Sequence, residues 1–390
     1  MKYDFDKRID RRNTMSLKYD FCEERRGRDD LLPLWVADMD FATAPGIIEA
    51  LERMVKPGIY GYSDTKESYF LTLKKWFAKH SGWEVEPEWL IKTPGVVFAL
   101  AAAVRAFTEE GDGVLIQQPV YYPFGSVIRD NGRVLVNSPL KIVDGHYEMD
   151  FADFEAKIVE NRVKLFILCN PHNPVGRVWT KEELCKVGVI CKKHGVIVVS
   201  DEIHQDFIFP GFRHQVFANA DPEFASFTVT CTAPSKTFNL AGLQVSNIWI
   251  ADPDLRAKFQ RAIDRTGYSQ VGLPGIVACQ AAYATGEEWL AQLQEYLNGN
   301  LDFFRTYLRE NLPQLHLVEP EGTYLLWVDF GKLGLTEEER EELLLDKAKL
   351  WLDSGAMFGP DGEGFERFNI ACPRATLQDA LDRLARALSA

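Results

Sequence analysis

The 390-residue sequence has no C-x-x-C pair, although it holds seven cysteines, at 22, 169, 185, 191, 231, 279 and 372. An odd, scattered set argues against a disulfide framework and a cysteine-rich zinc site, and it fits a reducing cytoplasm. Cys191 and His194 stand three apart, but nothing nearby completes a ligand set, so no metal is expected. Positive charge is not in excess. The net charge is −13, from 44 lysines and arginines against 57 acids. Nucleic acid and anionic membranes need a basic face, so neither is expected as a partner. No apolar run reaches the roughly 18 residues of a membrane span. The opening "MKYDFDKRIDRRNTMS" is charged throughout, and no secretory signal is read there. Internal repeats and low-complexity linkers are also lacking.

What is there is an ordinary globular composition, 46% hydrophobic and 26% charged. The chain is too long for one compact core, and two domains are expected. Between about 90 and 285, short β-rich runs alternate with amphipathic stretches. The runs are "GVLIQQ" (113–118), "VKLFILC" (163–169), "GVIVVS" (195–200), "SFTVTC" (226–231) and "VSNIWI" (245–250). They are almost continuously apolar, as strands covered on both faces are. Helices are expected over 97–111 and 180–195. The second has Thr180 and Glu183 placed as a capping box and Gly195 as its stop. This alternation predicts an α/β fold with a mostly parallel sheet. The C-terminal part reads as α+β, with helices over 287–311 and 336–355 and a strand over 323–330. A large domain over 46–285 is expected, with 1–45 and 286–390 forming a smaller one.

In parallel sheets ligands gather outside the carboxyl ends of the strands. The segments that follow the β-runs carry Tyr121 and Tyr122, Asn173 in "NPHNPVG", Asp201 in "SDEIH", and Lys236 in "CTAPSKTFNLAGL". Pro94 and Gly95 open a helix start at Val96 and Val97. Each part alone has a plain structural reading: a turn, a cap, a rim aromatic, a solvated lysine. Together they meet the requirements of pyridoxal 5′-phosphate (PLP). That cofactor needs a lysine for a Schiff base and a carboxylate at the pyridine nitrogen. It also needs a donor for the ring oxygen, a flat group against the ring and an anion cradle. Lys236, Asp201, Asn173, Tyr121 and the Gly95–Val96–Val97 helix start supply these, with Ser235 and Thr232 adding hydroxyls for the phosphate.

The motifs "NPHNPVG", "SDEIH" and "APSKTFNLAGL", in that order, resemble the class I/II aminotransferase family of fold-type I PLP enzymes. "LWVADMDFATAP" (34–45), "YGYS" (60–63), "TPGVV", "QPVYYPF" (118–124), "HNPVGRVW" and "FERFN" (365–369) resemble its C–S lyase subgroup. That subgroup includes cystalysin and the MalY/PatB-type cystathionine β-lyases. The resemblance spans nearly the whole chain and implies a seven-stranded large-domain sheet. It places His204 near the cofactor ring and Tyr122 beside Tyr121, both tyrosines acting with Lys236. It makes Arg367 the fork for a substrate α-carboxylate, with Arg374 a lower-ranked competitor, and sets Asn173 and Tyr122 beside the substrate. It further implies a homodimer with a shared site, to which Tyr62, or failing that Tyr60, of a second copy contributes.

The implied reaction is α,β-elimination from L-cystathionine, L-cysteine or another S-substituted cysteine, giving pyruvate, ammonia and a thiol. Two alternatives stay open. An aminotransferase shares the early steps and the same residues. A regulatory, protein-binding role could accompany either activity.

Overall fold

Strands that read as continuous apolar runs are buried on both faces because helices cover the sheet above and below. The computed structural model describes residues 3–389. Its central sheet has β1 (Leu90–Thr93), β2 (Gly113–Ile116), β3 (Val134–Asn137), β4 (Leu165–Cys169), β5 (Ile197–Asp201), β6 (Thr228–Thr232) and β7 (Ser246–Trp249). The order is β1-β7-β6-β5-β4-β2-β3. From β3 to β6 every pairing is parallel, and β7 runs antiparallel to both β6 and β1. All residues of β2, β4, β6 and β7 are buried. The α/β class and the seven-stranded, mostly parallel sheet are as expected.

The helix over Lys181–His194 has the anticipated capping box between Thr180 and Glu183, and Gly195 ends it in the left-handed region at φ 66°. The helix expected to reach 111 stops at Phe107, because Thr108 is extended. It begins at Val96, with its N-terminus at the sheet edge that also carries the carboxyl ends of β2, β4, β5 and β6.

A second sheet holds β8 (His316–Val318), β9 (Leu325–Asp329), β10 (Asp353–Ser354) and β11 (Phe365–Asn369), in the order β8-β9-β11-β10, all antiparallel. The long helix Glu287–Asn311 and the final helix Arg374–Ser389 pack beside it. The expected helix over 336–355 is corrected. Only Glu337–Glu342 is α-helical, and a π turn follows over Leu343–Lys347. Lys349 then adopts φ 55°, and Leu350–Trp351 pairs in parallel with Leu32–Pro33. Leu350, Trp351 and Leu352 are all buried, and Trp351 stacks on Trp35 at 4.3 Å between centroids. Pairing with Leu32–Pro33, which buries Leu350 and Trp351, overrides the helical pattern. This break carries the chain into β10, where Asp353 stands opposite Arg367 in β11.

The N-terminal segment also meets the end of the chain. Asn369 N donates to Leu34 O, and Asp40 N to Ala371 O.

Candidate active site

Lys236 lies in the one-turn helix Pro234–Thr237 just beyond β6. Its Nζ donates to the carbonyl of Ala37 at 2.7 Å. Burial, then the charge of Arg367, pull the ammonium down to about 8, against the opposing pull of Asp38 and Asp201. A neutral amine is therefore within reach near physiological pH.

Asp201 ends β5. Its Oδ1 accepts from Ile203 N at 3.1 Å. Burial raises this carboxyl to about 7, although Ile203 N–H and Lys236 work the other way. A cavity of about 120 Å³ separates the acid from the amine. Gly95, Val96, Val97, Tyr121, Asn173, His204 and Ser235 line it as well. His204 is buried, and its Nδ1 has no hydrogen-bond partner. Desolvation, reinforced by Lys236 and Arg367, keeps its imidazole neutral.

The β4–helix connection orients two of these groups. Tyr121 N donates to Asn173 O at 3.0 Å. Asn173 Oδ1 accepts from Arg367 Nη1 at 3.0 Å. Arg367 itself stands one layer back. Its Nη2 donates to Trp35 O at 2.8 Å and pairs with Asp353, and its guanidinium lies 4.9 Å over the Phe358 ring. Its Nε is buried and unpartnered. Arg374, the competitor, is elsewhere, bonded to Asn300 Oδ1 and lying over Phe303.

Besides Arg367, three expected residues do not line the cavity. Tyr122 stands beside Tyr121, 5.4 Å between ring centroids, but faces an adjoining compartment. Thr232 is a correction. Its Oγ1 donates to Asn247 O and accepts from Trp249 Nε1, which satisfies the hydroxyl on the β7 side of the sheet. It is left with no direction toward a phosphate. Tyr62 is fully exposed on the 57–63 segment and is not part of the cavity of its own chain.

Sequence reasoning missed the roof. Ala37 O accepts from Lys236 and also from Tyr324 OH at 3.0 Å. Val36 O and Asp38 O accept from Asn369 Nδ2. On its outer side the segment is gripped by a buried ionic cluster. Lys18 Nζ lies 2.9 Å from Asp40, and Arg11 forks onto Asp38 while also reaching Asp40. A backbone carbonyl carries no sequence signature, so only the clustering of "ADMD" charges hinted at an anchored segment.

The family model for aminotransferase class I and II matches residues 29–384. The chain belongs to this family. Within it, the cystathionine β-lyase PatB of Bacillus subtilis is 46% identical over 385 residues, 99% of this chain and 100% of that protein. Among solved structures, cystalysin from Treponema denticola, which contains a pyridoxal 5′-phosphate cofactor, superposes with a TM-score of 0.97 at 40% identity, covering 100% and 99% of the two chains. The PLP-bound C–S lyase of Staphylococcus hominis gives 0.94 at 34% identity, covering 100% of this chain and 99% of that one.

Proposed function

We propose that the protein is a PLP-dependent C–S β-lyase that eliminates a thiol from L-cystathionine, L-cysteine or related S-substituted cysteines. The observation that carries this reading is a half-buried lysine amine facing a buried carboxyl across a small cavity. Asp201 offers a carboxyl whose Oδ2 has no hydrogen bond among the described residues. A buried acid with one neutral donor needs a cation, and a protonated pyridine nitrogen is one. The residues therefore fit the cofactor. Lys236 would hold it covalently, with Asp201 at the ring nitrogen, Asn173 at the ring oxygen and Tyr121 against the ring face. Ser235 and the free first-turn N–H groups of Val96 and Val97 would hold the phosphate.

When bound, PLP supplies an electron sink for bond breaking at the substrate Cα. The rest falls to the protein. Arg367 binds the α-carboxylate with the donor that is not already engaged. The Lys236 amine, whose hold on a proton is weakened by burial and by Arg367, takes the Cα proton as general base. The Ala37 carbonyl and Tyr324 hydroxyl fix where that amine rests. The C–S bond at Cβ breaks and the thiolate leaves with its electron pair. Hydrolysis of what remains gives pyruvate and ammonia.

The lyase outcome, rather than transamination, is supported by the names of the relatives. We further propose a homodimer with shared sites. The 57–63 segment supports it, because it presents Ile59, Tyr60 and Tyr62 to solvent side by side. The large-domain span of 46–285 belongs to this reading too. So does a cytoplasmic location, supported by seven free thiols. No helix among the described residues is long and apolar enough to cross a membrane.

The deciding experiment supplies L-cystathionine without any keto acid. Pyruvate, ammonia and homocysteine should accumulate over many turnovers. A stall after about one turnover, relieved by 2-oxoglutarate or pyruvate, would replace the lyase with an aminotransferase.

A further inference from the structure

Next to the Lys236 cavity lies a second, larger compartment of about 360 Å³. Tyr121 borders both. Tyr122 and Met357 form part of the larger one's wall, and both are partly exposed. Its charge is unusual for so acidic a chain. No carboxylate lines it, and Arg129 is its one charged side chain. Arg129 lies in the last turn of the helix Pro123–Asp130, which starts directly after Tyr122. Its Nη1 comes to 3.0 Å from the point where a Cβ on Gly125 would sit. The guanidinium is thus folded back one turn along its helix, over a position kept bare by glycine. Among the described residues it makes no hydrogen bond or ion pair. Gln118 and Ser126 add polar atoms to the same wall.

We propose that this compartment receives the thiol half of the substrate, and that Arg129 binds an anionic group at its far end. The preferred substrates are then S-substituted cysteines whose substituent ends in a carboxylate. This rests on the β-lyase reading of the Lys236 cavity. A lone cation with no competing acid is a seat for an anion, and Tyr121 joins that seat to the reacting centre. Arg129 is a specificity residue and takes no part in the chemistry at Cα or Cβ.

The test compares S-(2-carboxyethyl)-L-cysteine with S-(2-carbamoylethyl)-L-cysteine, which have the same shape and differ in charge. Two readouts are taken on the holoenzyme. One is kcat/KM for thiol release. The other is calorimetric binding to holoenzyme whose lysine–cofactor bond has been reduced with borohydride. The carboxylate should be favoured by about two- to fivefold in both, the range of an exposed ion pair, and the preference should shrink as salt is raised. Arg129→Gln should bring the ratio to one while leaving the carboxamide constants unchanged, and Arg129→Lys should restore part of it. Equal constants in the wild type, or a preference that survives in Arg129→Gln, would overturn the proposal. The salt dependence of the wild type decides the matter even if the variants fold poorly. Failure of both compounds to release thiol would refute the lyase reading, and calorimetry would still report on Arg129.

Discussion

Arg367 Nη1 and Asn173 Oδ1 stand 3.0 Å apart, so the group expected to read the substrate carboxylate also holds the amide expected to meet the cofactor ring. The same guanidinium fixes Trp35 O and is balanced by Asp353. A lysine cannot reproduce that fork. Arg367→Lys is expected to lower kcat/KM for amino-acid substrates by about 10- to 100-fold, mainly through KM, since charge-assisted hydrogen bonds contribute about 1.5–3 kcal/mol. Steady-state kinetics over a wide substrate range measures this. An unchanged KM would take the carboxylate away from Arg367.

Lys236 should carry the cofactor. The purified protein is expected to absorb visible light and to lose that band on borohydride reduction. Peptide mapping should then place a pyridoxyl group within "APSKTF". A label on a different lysine would displace Lys236 from the centre of the site.

Asp201 makes a pH prediction for the protein stripped of cofactor. Its folded value, about 7, lies above its ordinary 3.8 because of burial. The folded state therefore holds this proton more tightly than the unfolded one. The contribution of Asp201 to stability falls as pH rises from about 4 to about 7 and stays reduced above that. Asparagine does not titrate. Asp201→Asn should gain on the wild type across that interval, as read from urea midpoints. A difference that stays flat with pH would mean the carboxyl is solvated. Lys236 acts in a different window. Its folded value is lowered from 10.5 to about 8, so its penalty is full below about 8 and is relieved as pH climbs toward 10.5.

Tyr62 tests the shared site. Tyr62→Phe should release PLP faster on dialysis while leaving the fold intact, because its ring is fully exposed within its own chain. Light scattering beside an activity assay should show a dimer. Full activity in a monomer would rule out a contribution from the neighbouring copy.

How far these features could be read from the sequence depended on which part of a residue does the work. The inner strands were plain, because β2, β4, β6 and β7 are buried along their whole length. The two edge strands of the sheet were not. β1 is "LIKT", alternately buried and half-buried, with no continuous apolar run, and β3, "VLVN", has only a three-residue run and is partly exposed. Side chains with chemistry of their own, Lys236, Asp201 and Asn173, were legible at strand ends. Thr232 was misassigned because the sequence does not tell which neighbour takes a hydroxyl, and here it is Asn247 O and Trp249. The 336–355 stretch was misread because its apolar spacing suits a helix, while its actual partner lies more than 300 residues away at Leu32–Pro33. Ala37 contributes a carbonyl, and nothing about an alanine announces that.

The stitching of Trp35–Asp40 has a consequence for how the enzyme is made. That segment is made before Lys236, which follows about 200 residues later. Its other anchors, Arg367, Asn369 and Ala371, follow Lys236 by more than 130 residues. Until they arrive the lysine has no roof, and the arginine that lowers its proton affinity does not yet exist. A chain that stops short of these anchors therefore lacks the poised amine, and reactivity toward the aldehyde of the cofactor is gained only once they are in place.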